Sequence, residues 1–115
     1  MSRPGSGQRA ERRALRHYRL RGYRILAANV WIAGYELDLI ARRGRRLVFC
    51  EVKSKSGTGF GTPEEMVDRE KQRRLYRAAD AWLARHPDCR ELDVSFEVIA
   101  VHGSSLRRVP LGDPL

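Results

Sequence analysis

Two apolar runs, YELDLIAR at 35–42 and RLVFCEVK at 46–53, are separated only by Arg43-Gly44-Arg45. Runs so close can form little except an antiparallel hairpin, and glycine followed by a second residue fits a two-residue type II′ turn. Both runs are rich in strand formers, yet each carries an acid, Asp38 and Glu51. A carboxylate in a half-buried strand is unfavourable unless something pairs with it or binds it.

Strand periodicity puts Glu36, Asp38 and Ile40 on one face, and Tyr35, Leu37, Leu39 and Ala41 on the other. In the second run Leu47, Phe49, Glu51 and Lys53 share a face opposite Val48, Cys50 and Val52. A two-residue turn at Gly44-Arg45 sets Asp38 opposite Glu51 and Glu36 opposite Lys53. A three-residue loop would shift this register. With the shorter turn, carboxylates and a lysine converge. Oxygen ligands without histidine or thiolate favour Mg²⁺ or Mn²⁺ over zinc, and Lys53 then stands where charge develops on a phosphate. An acid–lysine network on a sheet face accounts for the same spacing without a metal.

The rest of the chain supplies the frame. A flexible basic arm is expected over 1–7, a single domain over 8–111 and a tail over 112–115. Ala10, Ala14, Leu15 and Tyr18 recur on one side of a helix from Gln8 to Arg21, with Glu11 at its edge and Gly22 as its stop. Tyr23–Val30 reads as a first strand closed by Asn29, which leaves Trp31 in the following loop. There Trp31 is open to stacking on a base or to local packing. Thr62-Pro63-Glu64-Glu65 resembles a capping box, followed by Leu75, Ala78, Ala79, Trp82 and Leu83 at helical spacing. Glu91–Val101 reads as a fourth strand, and 106–111 as a fifth at the edge. The order αβββαβ predicts an α/β fold, a mixed central sheet flanked by helices.

Charge narrows the partners. The net charge is +9, and residues 1–24 hold eight arginines against one acid, Glu11. Such a surface suits nucleic acid or acidic lipid. The first helix has too few bulky apolar residues to lie on a membrane, so no membrane partner is expected. No run resembles a signal peptide or a membrane span, and a cytoplasmic location is expected. Cys50 and Cys89 have no metal-ligand spacing, and Cys50 reads as a core residue.

ELDLIA, LVFCEVKSKSG, FGTPEEMV and KQRRL, in this order, resemble the YraN family of small bacterial proteins over residues 10–101. That family is placed in the PD-(D/E)xK, restriction-endonuclease-like superfamily and is similar to archaeal Holliday-junction resolvases. The resemblance implies a restriction-endonuclease-like core and a metal-dependent nuclease acting on DNA rather than RNA, branched or junction DNA included. It implies Asp38, Glu51 and the Val52 carbonyl as Mg²⁺ or Mn²⁺ ligands, Lys53 as the catalytic lysine, and Glu11 as a helical acid directed at the metal or its water. Gln72 and Tyr76 match a Q-x-x-x-Y spacing of related nucleases, and Lys71 a basic family position. Glu36 fits as a partner of Lys53 or as a ligand of a second metal. Where the family has glycine, this chain has Tyr35 and Ala10. Arg12, Arg13, Arg16, Arg43, Arg45, Arg46 and Lys55 are the candidates for gripping phosphates. A homodimer would supply the paired sites of a resolvase. The competing reading is a nucleic-acid-binding module that keeps the fold without turnover.

Overall fold

The structure, a computed structural model, describes residues 6–55 and 67–112, with the side chains of Ser6, Gly7 and Lys55 excepted. Helix α1 (Ser6–Leu20) begins two residues ahead of the expected start. Its Ala10, Ala14 and Tyr18 stripe is at most 1% exposed. The helix ends in a Schellman motif: Tyr23 N–H donates to the Tyr18 carbonyl at 3.0 Å and Gly22 N–H to Arg19 at 3.1 Å. The left-handed residue the motif needs is Gly22, at φ +85°.

Strands β1 (Arg24–Ile32), β2 (Tyr35–Arg43), β3 (Arg46–Lys55), β4 (Asp93–His102) and β5 (Ser105–Pro110) form one sheet in sequence order. All neighbours are antiparallel except β3 and β4, which run parallel. A parallel pair needs a crossover, and helix α2 (Arg69–Ala84) lies within it, followed by a 3₁₀ turn at Pro87–Cys89. This is a mixed α/β fold with helices on its faces, compatible with a restriction-endonuclease-like core.

Two apolar clusters sandwich the sheet. On the α2 side Phe49 is fully buried, with Trp82 edge-on at 5.8 Å and Phe96 stacked at 5.6 Å. On the α1 side Leu39, Ala41, Val48, Cys50 and Ile99 meet the alanine stripe. Burying each large apolar side chain contributes about 1.5–3 kcal/mol, so both helices are fixed by packing. Cys50 is the core residue expected, and burial pushes its thiol up to about 12.

Two of the boundaries that differ from expectation bear on the site, the end of β1 and the start of the second helix. β1 continues through Asn29 to Ile32, so Trp31 lies on a strand; the turn is Ala33-Gly34, with φ of 52° and 74°. Asn29 takes φ 54° inside the strand instead of closing it. Helix α2 starts at Arg69, its N-cap being Asp68, whose carboxylate accepts the Lys71 N–H at 2.9 Å. Residues 62–65, the expected capping box, lie outside the described residues. No helix among the described residues is long and apolar enough to cross a membrane.

Candidate metal centre

The β2–β3 hairpin has the register set by a two-residue turn. Arg43 faces Arg46, Ile40 faces Phe49 and Leu39 faces Cys50. Gly44, at φ +60°, makes the turn. Beyond Leu39 and Cys50 the pairing stops. β2 stays with β1 as far as Tyr35, while β3 stays with β4 as far as Lys55. The sheet forks, and Asp38 occupies the fork, its Oδ2 accepting the Val52 N–H at 2.8 Å. Asp38 and Glu51 thus face one another across a gap, and the expected Glu36–Lys53 pair is replaced by Glu36 opposite Trp31 on β1.

The strand alternation fails at the same place. Leu37 and Ile40 both belong to the α2-side cluster, while Leu39 and Ala41 belong to the α1 side. The expected face shared by Tyr35, Leu37, Leu39 and Ala41 is therefore split. The left-handed Asn29 lies beside Asp38 in the β1–β2 register, between the pairs Ala28–Leu39 and Val30–Leu37. That kink turns Asp38 toward α1. Glu11, Glu36 and Asp38 there each offer a carboxylate oxygen, all within 4.8 Å of one another.

Glu51 forms the other lip. It is 7% exposed and is the buried charged residue among the described residues. The Tyr35 hydroxyl donates to its Oε2 at 3.0 Å, and the Lys53 ammonium lies 3.6 Å from its Oε1. Burial, then the neighbouring Glu51 carboxylate, push Asp38 up to about 7. Burial raises Glu51 as well, against the pull of Lys53, the Tyr35 hydroxyl and Lys71. Burial and the same carboxylate raise the Tyr35 phenol. A cation would relieve the burial that disfavours the Asp38 and Glu51 anions. An all-oxygen set matches a hard divalent ion; the residues fit Mg²⁺ or Mn²⁺.

A cleft of about 460 Å³ opens over this group, lined by Glu11, Glu36, Asp38, Glu51, Val52 and Lys53, with Lys71 and Arg74 from α2 and Trp31 from β1. A second cavity, about 300 Å³, shares Glu11, Asp38 and Val52 and adds Arg12. The fold therefore assembles Glu11, Glu36, Asp38, Glu51, Val52, Lys53 and Lys71 around one opening. Gln72 and Tyr76 do not line that cleft. The Gln72 amide donates to the Val67 carbonyl at 2.9 Å, and the Tyr76 hydroxyl to Gly112 at 2.7 Å, its ring edge-on to Phe96 at 4.4 Å. Their i, i+4 spacing joins them weakly, at 3.4 Å.

The arginines divide. Arg12 borders the acids and Arg16 lies exposed along α1. Arg13 grips the β4–β5 turn, donating to the Gly103 and Ser104 carbonyls at 2.9 and 2.8 Å. Arg43, Arg45 and Arg46 surround the hairpin turn, six residues from Glu51 and roughly 20 Å away along the strand. Each is engaged: Arg43 with the Arg21 carbonyl and the Tyr23 ring, Arg45 with the Glu91 carbonyl, Arg46 with the Tyr23 hydroxyl. The Lys55 side chain lies outside the described residues.

Sequence reasoning passed over Tyr35 and Arg74. Arg74 stands three residues from Lys71, the spacing of a shared helix face. Tyr35 was assigned to the apolar face, and only the broken alternation brings it to Glu51.

Comparison with known proteins gives the family. A model of "Uncharacterised protein family UPF0102" matches residues 10–101. The chain is 46% identical over 103 residues to a UPF0102 protein of Halorhodospira halophila, covering 90% of this chain and 82% of that one. It is 44% identical over 99 residues to UPF0102 protein STH1475 of Symbiobacterium thermophilum, covering 83% and 80%. A UPF0102 protein of Dechloromonas aromatica is 39% identical over 100 residues, covering 87% and 81%.

Proposed function

The chain belongs to the UPF0102 (YraN) family, and on that premise we propose that it is a metal-dependent nuclease hydrolysing phosphodiester bonds in DNA, branched DNA included. One observation carries the reading: a forked sheet brings Glu11, Glu36 and Asp38 within 4.8 Å of one another, across from Glu51 and Lys53. Glu11, Glu36 and Asp38 would hold Mg²⁺ or Mn²⁺, with Glu51 and the Val52 carbonyl closing the other lip. The cation, when bound, supplies Lewis acidity toward phosphate and water.

The chain's own groups do the remaining work. Val52 N–H and the Tyr35 hydroxyl hold the Asp38 and Glu51 carboxylates in place before substrate arrives. Such preorganisation is what makes charges effective in a transition state. Lys53 presents an ammonium where the phosphoryl oxygens gain negative charge. Arg12, Lys71 and Arg74 at the rim meet the flanking phosphates. A resolvase-type reaction needs two such sites, so a homodimer belongs to this reading, as does work in the cytoplasm.

A binding module without turnover would draw equally on the +9 charge. Labelled four-way, flap, single-stranded and linear DNA separate the two, incubated with Mg²⁺ or Mn²⁺ and with EDTA. Metal-dependent cleavage by wild type, lost in Asp38→Asn and Lys53→Ala, is the expected result. Salt-sensitive binding with no cleavage in either metal would reject the nuclease.

A further inference from the structure

We propose that Trp31 is a stacking platform for an unpaired nucleobase beside the phosphate at the acid cluster, an inference that rests on the nuclease reading above. Trp31 is 70% exposed, while Trp82, the chain's other tryptophan, is 4% exposed. The backbone that carries the exposed indole is well fixed. Trp31 pairs with Glu36 across the β1–β2 ladder, and the two-residue turn Ala33-Gly34 closes the hairpin one pair later.

Directly opposed residues share a face, with Cβ atoms roughly 5 Å apart. Glu36 is one of the three clustered carboxylates, so the indole stands beside that cluster. Trp31 also lines the cleft that holds Asp38, Glu51 and Lys53, with Lys71 and Arg74 on its α2 side. At about 460 Å³ that cleft is in the range of small-ligand sites, with room for a nucleotide rather than a duplex.

An indole face accepts any base, because every base has a π face. A base inside a duplex has both faces covered by its neighbours. Stacking on Trp31 therefore selects a base already out of the helix, at an end, a flap or a branch point. Lys71 and Arg74 supply the charge for the adjoining phosphates, and sequence is left unread.

The test uses the full chain in Ca²⁺, with an oligothymidylate of about a dozen nucleotides and a duplex of equal length. Trp82, enclosed by Phe49 and stacked on His86 at 3.8 Å, gives a constant fluorescence background. Oligothymidylate is expected to quench wild type and to leave Trp31→Phe unquenched. Trp31→Ala is expected to bind it about tenfold more weakly, with Trp31→Phe recovering part of that loss. Duplex affinity and Mn²⁺ affinity should be unchanged in both. Equal affinity of wild type and Trp31→Ala for oligothymidylate overturns the proposal, as does a parallel fall in duplex affinity. The two readings fail separately. Quenching without any cleavage supports the platform and removes the nuclease; cleavage with an unaltered flap-to-duplex preference in Trp31→Ala does the reverse.

Discussion

The Asp38 carboxylate stands where a rung of the sheet would be: its Oδ2 accepts the Val52 N–H at 2.8 Å at the point where β2 and β3 part. A side chain has replaced a backbone carbonyl, and its second oxygen is left for something else. The ionisation of Asp38 therefore bears on stability as well as on chemistry.

Asp38 ionises near 3.8 in an unfolded chain and at about 7 in the folded one. Between those values the folded state holds a proton the unfolded state has lost, so stability of the metal-free protein falls as pH rises from about 4 to 7. Glu51, raised for the same reason, adds to the slope. Asp38→Asn keeps an oxygen for Val52 and never ionises. In EDTA it should exceed wild type by about 1–2 kcal/mol near pH 8 and match it near pH 4. Urea unfolding across that range measures it; equal slopes for the two proteins would refute the assignment.

Tyr35 orients Glu51 through one hydroxyl. Tyr35→Phe keeps the ring and its packing against the α2-side cluster. A loss of roughly 10-fold or more in Mn²⁺ affinity is expected, with little change in melting temperature. Isothermal titration with Mn²⁺ decides, and an unchanged affinity would mean that Lys53 alone orients the acid.

A second polar assembly ties the far edge of the sheet to α1. Arg108 donates to Glu97 at 2.8 Å and to the Tyr23 hydroxyl at 3.2 Å, while the Tyr18 hydroxyl donates to the same Glu97 oxygen at 2.7 Å. The guanidinium also covers the Tyr18 ring at 4.9 Å. Arg108→Ala leaves Glu97 largely buried without its cation and should cost about 2–4 kcal/mol. Arg108→Lys should recover only part, since one ammonium cannot reproduce the planar fork. Denaturant midpoints for the pair test this.

Gly22→Ala places a side chain at φ +85°, where its Cβ would sit 3.5 Å from the Arg43 side chain, an ordinary contact. Strain rather than collision is therefore the expected effect, about 1 kcal/mol. A thermal melt should show a drop of a few degrees; a neutral result would mean that the Schellman turn adjusts.

Local rules carried the reading of this chain a long way. Glycine at 44 and the short turn foretold the pairing of Leu39 with Cys50, and alanines four apart foretold α1. Periodicity failed where the backbone departs from regularity. Nothing in the pattern around Asn29 announces φ 54°, and regular alternation past that kink sends Leu37 and Tyr35 to the wrong face; the end of β2–β3 pairing at Leu39 removes the expected Glu36–Lys53 pair. Glu36 and Asp38 share a face as alternation predicts, and Glu11 joins them from α1. A good helix-start signal at 62–65 drew attention from Asp68, which caps the described helix. The Glu97–Arg108 pair joins neighbouring strands, but its two tyrosine partners come from far away in the chain, so local rules could not find the network.

Arg13 lies two residues beyond Glu11 on α1, and both of its bonds reach the Gly103-Ser104 turn at the opposite edge of the sheet. The helix that delivers Glu11 to the carboxylate cluster is thus moored to a hairpin that carries none of its acids. Mooring turns a remote loop into a trim tab: lengthening that turn by a residue would tilt α1 and retune Mn²⁺ affinity with every carboxylate intact. In a lineage of such proteins, drift in an ordinary surface turn becomes a way to adjust the spacing of a carboxylate cluster without altering any of its acids.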